Sequence, residues 1–116
     1  MEKTITLNDK KIRMKASAYS ALIYRANFGE DIFPAQAKLI GFASSKNFND
    51  INTVDLLQMA WSFAKTADKE VLPFEQWVEE AGDFPVLDIL PQIAELITAN
   101  ITSTTKIKNQ NAATKK

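Results

Sequence analysis

Residues 54–68, Val-Asp-Leu-Leu-Gln-Met-Ala-Trp-Ser-Phe-Ala-Lys-Thr-Ala-Asp, largely confine their polar side chains to one narrow line. Asp55, Gln58, Ser62, Lys65 and Lys69 recur at alternating intervals of three and four residues, which at 3.6 residues per turn is a single helix face. Leu57, Trp61 and Ala64 lie on one flank of that line, and Leu56, Ala60, Phe63 and Ala67 on the other. A helix with so wide an apolar arc needs cover from at least two sides, so the rest of the chain is expected to wrap it.

The flanking segments supply that cover. Lys3-Thr4-Ile5-Thr6-Leu7 and Lys11-Ile12-Arg13-Met14-Lys15 alternate polar with apolar around Asn8-Asp9, which predicts a β-hairpin with Ile5, Leu7, Ile12 and Met14 on its packed face. A lone two-stranded hairpin is marginal in water, so it must lie on the helices or find further strands in a neighbouring subunit, an option its exposed edges keep open. Ser17 as N-cap, Tyr19, Leu22, Ile23 and Ala26 at helical spacing, and Gly29 as the stop predict a helix over 18–28. Pro34 opens a second helix over 35–44 that turns Ala37, Ile40 and Phe42 or Ala43 inward, weakened by Gly41.

Residues 45–52 read as a polar loop, and Asn52 or Thr53 caps the central helix. Pro73 and Gly82 bracket a further helix with Phe74, Trp77, Val78 and Ala81 inside and Glu75, Glu79 and Glu80 toward water. Leu87, Leu90, Ile93, Ala94, Ile97 and Ile101 carry helical spacing through the last apolar stretch, with Pro91 marking a kink or a break. The expected fold is mainly α: one small helical domain over 1–101, about five helices around a central buried helix, with an N-terminal β-hairpin over 3–15. Residues 102–116 are too polar to bury much and are expected to form a disordered basic tail.

Composition narrows the function. A chain of 116 residues, 46% hydrophobic and 24% charged, suits one core. No apolar run approaches the length of a membrane span, and the first residues lack a signal peptide's apolar centre, so the chain is expected to stay in the compartment where it is made. The absence of Cys removes disulfides and thiolate chemistry, and the absence of His removes the commonest general base and metal ligand. The net charge of zero hides an asymmetry: all 14 acidic residues lie between Glu2 and Glu95, whereas Lys106, Lys108, Lys115 and Lys116 close the chain without an acid among them. An acidic body argues against a nucleic-acid grip.

Little else carries chemistry. Glu30 with Asp31, and Glu79 with Glu80, are sequence neighbours that point to different sides, and Glu75 with Glu79 share a face that the pattern leaves in water. Arg25 and Asp31 read as a surface ion pair, and Trp61, Trp77, Phe63 and Phe74 occupy core positions without the basic groove a base-stacking surface needs. The glycines Gly29, Gly41 and Gly82 form no phosphate loop. The residues alone describe a binding domain without a catalytic or cofactor site.

Three stretches go further. Tyr24-Arg25-Ala26-Asn27-Phe28-Gly29-Glu30-Asp31-Ile32 resembles the R-x-x-F-G-x-D-I signature of tail assembly chaperones of long-tailed bacteriophages and prophages of Gram-positive bacteria. Residues 57–68 resemble that family's AWAMAKTAD-like helix, and Pro73-Phe74-Glu75-Gln76-Trp77 its P-S-F-E-E-W segment, although Phe74 follows Pro73 with no residue between. The resemblance implies a non-enzymatic factor in the cytoplasm of the host bacterium, absent from the mature virion. Such a factor binds the tape measure protein, keeps it soluble and helps recruit tail tube protein. It also implies a longer frameshift product of the same gene, and no cofactor, nucleic acid or membrane.

On that reading the hairpin face Ile5, Leu7, Ile12 and Met14 and the tail with Lys106 and Lys108 are expected to mediate assembly, including self-association. The acidic rim Glu75, Glu79, Glu80 and Asp83 is expected to supply polar contacts. The alternative is a structural virion component, a head–tail connector or minor tail protein.

Overall fold

The computed structural model describes residues 1–45 and 51–114, the stretch 102–114 by its backbone alone. The element order is β1 (Glu2–Leu7), β2 (Lys10–Lys15), α1 (Ala18–Phe28), α2 (Ile32–Ser45), α3 (Thr53–Ala67), α4 (Phe74–Ala81) and α5 (Val86–Thr114). Among the described residues this is a mainly helical domain with an N-terminal two-stranded antiparallel hairpin. Residues 46–50, most of the expected polar loop, lie outside the described residues.

The hairpin follows from its turn. Asn8 and Asp9 have φ of 50° and 68°, the left-handed pair that a two-residue turn matching the strand twist requires and that Asn and Asp tolerate better than most residues. That turn fixes the register, Ile5 opposite Ile12 and Lys3 opposite Met14. The apolar side chains therefore share one face. The face lies on the helices: Ile5, Leu7 and Met14 are buried in the same core as Leu56, Met59 and Phe63 of α3 and Ile89 and Ile93 of α5.

Helix α3 is the centre. Asn52 caps it, its side-chain oxygen accepting from the N–H groups of Val54 (2.9 Å) and Asp55 (3.2 Å). Leu56 and every residue from Met59 to Ala64 are buried. Even the polar line is largely covered, with Ser62 fully buried and its hydroxyl donating to the Gln58 carbonyl at 2.8 Å.

Helix α1 begins and ends as expected, with a Ser17–Ser20 capping box and Gly29 at φ 74° accepting the left-handed stop. Its inward face matches the expected stripe of Tyr19, Leu22, Ile23 and Ala26 only at Ile23. Ser20, Ile23 and Tyr24 are buried and Phe28 half-buried, whereas Tyr19 (45% exposed), Leu22 (66%) and Ala26 face out. The polar tips on the inner face find partners: the Ser20 hydroxyl lies 2.8 Å from the Thr66 hydroxyl and 3.2 Å from the Lys15 carbonyl, and the Tyr24 hydroxyl donates to Gln58 Oε1 at 3.1 Å. Those bonds make a mixed stripe buriable and rotate the helix by one position.

Helix α2 differs from expectation in the same way, whereas α5 buries most of its expected face. Helix α2 starts at Ile32 because the Asp31 carboxylate accepts from the Phe33 N–H at 3.1 Å, which leaves Pro34 in the first turn, where its missing N–H costs nothing. Its buried residues are Ile32, Ala35, Gln36 and Leu39; Ala37 is exposed, and Ile40, Phe42 and Ala43 are half-buried. In α5, Pro91 does not divide the helix, and Ile89, Leu90, Ile93, Leu96 and Ile97 are buried while Leu87 stands 62% exposed. The backbone of 102–114 continues α5 to Thr114. No Gly or Pro stands between Gln92 and Thr114 to stop it.

Candidate functional site

Function must lie on the surface or in its grooves, so the candidate side chains are judged by where the fold leaves them. The hairpin face is not available. Ile5 and Met14 are 0% exposed and Leu7 1%, because a two-stranded sheet gains its stability by covering its apolar face and α3 and α5 supply the cover. Ile12 is half-buried against the same core. The expectation that Ile5, Leu7 and Met14 contact a partner is corrected accordingly, while Ile12 keeps part of its surface and lines two grooves. What the hairpin shows outward is polar: Glu2, Thr4, Thr6, Lys11, Arg13 and Lys15 are exposed. Its margins are tied down by an ion pair from Lys3 to Glu95, a bond from Arg13 to the Ala67 carbonyl (2.7 Å) and a long one from the Thr6 N–H to Gln92 (3.4 Å).

The acidic rim is exposed as expected. Helix α4 packs Trp77 and Ala81 against the core and Phe74 against the rings of Phe28 and Trp61, holds Val78 half-buried, and leaves Glu75, Glu79 and Glu80 in solvent, with Asp83 exposed just beyond. Asn8 donates to the Ala81 carbonyl at 3.0 Å and to the Asp83 carbonyl, pinning the hairpin turn to the end of α4. Between them runs a groove of about 190 Å³ where Glu80 shares the lining with Lys10 and Lys11. Basic β2 and acidic α4 thus border one another. The side chains of Lys106 and Lys108 lie outside the described residues.

The three segments that carry the family resemblance meet in space. Phe28 of the first, Trp61 of the second and Phe74 of the third form a triangle of edge-to-face rings with centroids 5.0–5.9 Å apart, and Tyr24 extends it onto Phe28 at 5.1 Å. Segments far apart in the chain therefore build one framework. Their aromatic rings pack the three segments onto one another.

Tyr24 is the titratable group the fold perturbs most. Burial first, then the negative charges of Asp55 and Glu30, push its hydroxyl up to about 12 from an ordinary 10. Because the folded value is the raised one, its contribution to stability is complete below pH 10 and is lost as pH rises toward 12. A shift of two units corresponds to roughly 2–3 kcal/mol. Urea titrations of the wild type and Tyr24→Phe at pH 9 and above should show the difference between the two shrinking or reversing as pH rises; a constant difference would show that the group does not ionise late.

The sequence reading missed one surface. Tyr19, Leu22 and Ala26 of α1, with Lys65 and Lys69 from α3 and the residues after it, line an open groove of about 290 Å³. The signal was present, since α1 offers two overlapping stripes, 19/22/26 and 20/23/24. Nothing in the periodicity chose between them. A second groove, of about 460 Å³, runs between α2 and α5 past Ile40, Ala43, Pro91 and Ala94. Among the described residues there is no cluster of three acids that could hold a metal ion and no helix long and apolar enough to cross a membrane. No family model, curated protein or solved structure matches the chain.

Proposed function

We propose that the chain is a phage tail assembly chaperone that binds the tape measure protein, keeps its long apolar helices from aggregating and helps recruit tail tube subunits, without catalysis or cofactor. The observation that carries the reading is the ordered series of three family-like segments between Tyr24 and Trp77, whose aromatic residues Phe28, Trp61 and Phe74 pack on one another. A shared motif set that converges on one packing centre is what a common fold requires. A holdase for an elongated helical client works by many modest contacts. The exposed rim of Glu75, Glu79, Glu80 and Asp83 and the outer face of α1 are surfaces of that kind.

On this reading the protein acts in the host cytoplasm and is absent from the finished particle, and a longer product of the same gene shares this domain. Co-expression with a phage tape measure protein tests the proposal. The client should move from the pellet to the supernatant several-fold in the presence of the chain, and purified particles should lack it. A client equally insoluble with and without the chain would overturn the reading, and stoichiometric presence in particles would replace it with a virion component.

A further inference from the structure

We propose that the outer face of α1 is a docking groove for one amphipathic helix of a partner protein, a helix whose apolar stripe is flanked by carboxylates. Tyr19, Leu22 and Ala26 stand at i, i+3 and i+7, which lays out an apolar floor along about two helical turns, roughly 10 Å. Leu22 is 66% exposed and Tyr19 45%, against complete burial of Tyr24 on the opposite face. One helix thus presents two apolar faces and the fold uses one.

The rim of the groove specifies the charge of what it takes. Lys65 is held in place by its own donations to the carbonyls of Lys69 (3.0 Å) and Val71 (3.2 Å), and the Lys69 ammonium lies 5.5 Å from the centre of the Tyr19 ring. Among the described residues, the one ion pair is Lys3 with Glu95, so neither rim lysine has a carboxylate at pairing distance. An apolar floor edged by two lysines that make no ion pair fits a helix with apolar anchors at i, i+3 or i+4 and i+7 and Asp or Glu along one flank.

The chain's own parts do not fit. Its closing stretch carries Lys106, Lys108, Lys115 and Lys116, the same sign as the rim. In a second copy, the acidic helix α4 already engages Trp77 and Ala81 with its own core and Phe74 with the Phe28 and Trp61 rings, so its carboxylates come without a free apolar stripe. The occupant is therefore a different protein. The inference rests on the chaperone reading only for the identity of that protein, a helical segment of the client.

Two labelled synthetic helical peptides with the same leucine stripe, one flanked by glutamates and one by lysines, test the groove by fluorescence anisotropy against the full chain. The glutamate-flanked peptide should bind about tenfold tighter or more, and Leu22→Lys should weaken it by a similar factor. Lys69→Glu should shift the preference toward the lysine-flanked peptide. Both are exposed positions, so circular dichroism should match the wild type. Equal binding of the two peptides, or affinity untouched by Leu22→Lys, would overturn the proposal. So would self-association by light scattering that Leu22→Lys abolishes, since a second copy would then be the occupant. In co-expression, a Leu22→Lys chain that keeps the client as soluble as the wild type does would sink the groove and leave the chaperone reading standing. A wild-type chain that binds the glutamate peptide yet fails to solubilise the client would do the reverse.

Discussion

Replacing Trp61 by alanine should lower the free energy of unfolding by about 3–5 kcal/mol, out of the roughly 5–15 kcal/mol typical of a domain. Trp61 is 2% exposed and touches both Phe28 and Phe74 with its ring edge to face, at centroid distances of 5.7 and 5.9 Å. Truncation removes the transfer energy of the indole, leaves a cavity between α1, α3 and α4, and orphans the Leu72 carbonyl that now accepts from Trp61 Nε1 at 2.8 Å. Trp61→Phe should recover most of the loss while still lacking the Leu72 bond. Urea unfolding followed by circular dichroism measures both. A Trp61→Ala chain within about 1 kcal/mol of the wild type would mean that this aromatic cluster does not hold the helices together.

The second large effect concerns the hairpin. Ile5→Ala and Met14→Ala should each cost about 2–5 kcal/mol, because both side chains are fully buried against α3 and α5. Thr4→Ala or Lys11→Ala, on the exposed face of the same strands, should change stability by less than about 0.5 kcal/mol. Since Ile5 and Met14 belong to one core cluster, the double variant need not show the sum of the single effects. It should still be close to unfolded at room temperature. The consequence for the proposed function is direct: a chain deleted of its hairpin would fail a client-binding test through loss of the fold alone, so the proposed contacts must be probed by substitutions on exposed residues such as Leu22 and Glu79. Unchanged unfolding midpoints for Ile5→Ala and Met14→Ala would return the hairpin to the list of free surfaces.

The contrast between these residues and the α1 groove shows what a linear pattern can carry. Strict alternation in a strand has only two faces, and with Asn8-Asp9 fixing the turn, the apolar face of the hairpin follows at once. Whether that face meets helices of its own chain or strands of a neighbour does not, since both bury it equally well. In helices the ambiguity is of another kind. A stripe that shifts by one residue turns by 100°, and α1 and α2 both carry small or polar residues beside their apolar ones, so adjacent stripes compete. Leu87 in α5 is misassigned for the same reason: Val86 beside it packs on the core, and Leu87, one residue on, faces out.

Local chemistry written in the chain therefore determined the caps at Ser17 and Asn52, the stop at Gly29, the hairpin turn, and a central helix too apolar to be left uncovered. Tertiary structure decided which way the surrounding helices face, because the deciding contacts join residues distant in sequence: the Ser20 hydroxyl beside that of Thr66, and Tyr24 bonded to Gln58. Those pairings let polar side chains into the core and turn Tyr19 and Leu22 out to the surface. A helix's own periodicity carries no record of the partner that will satisfy it.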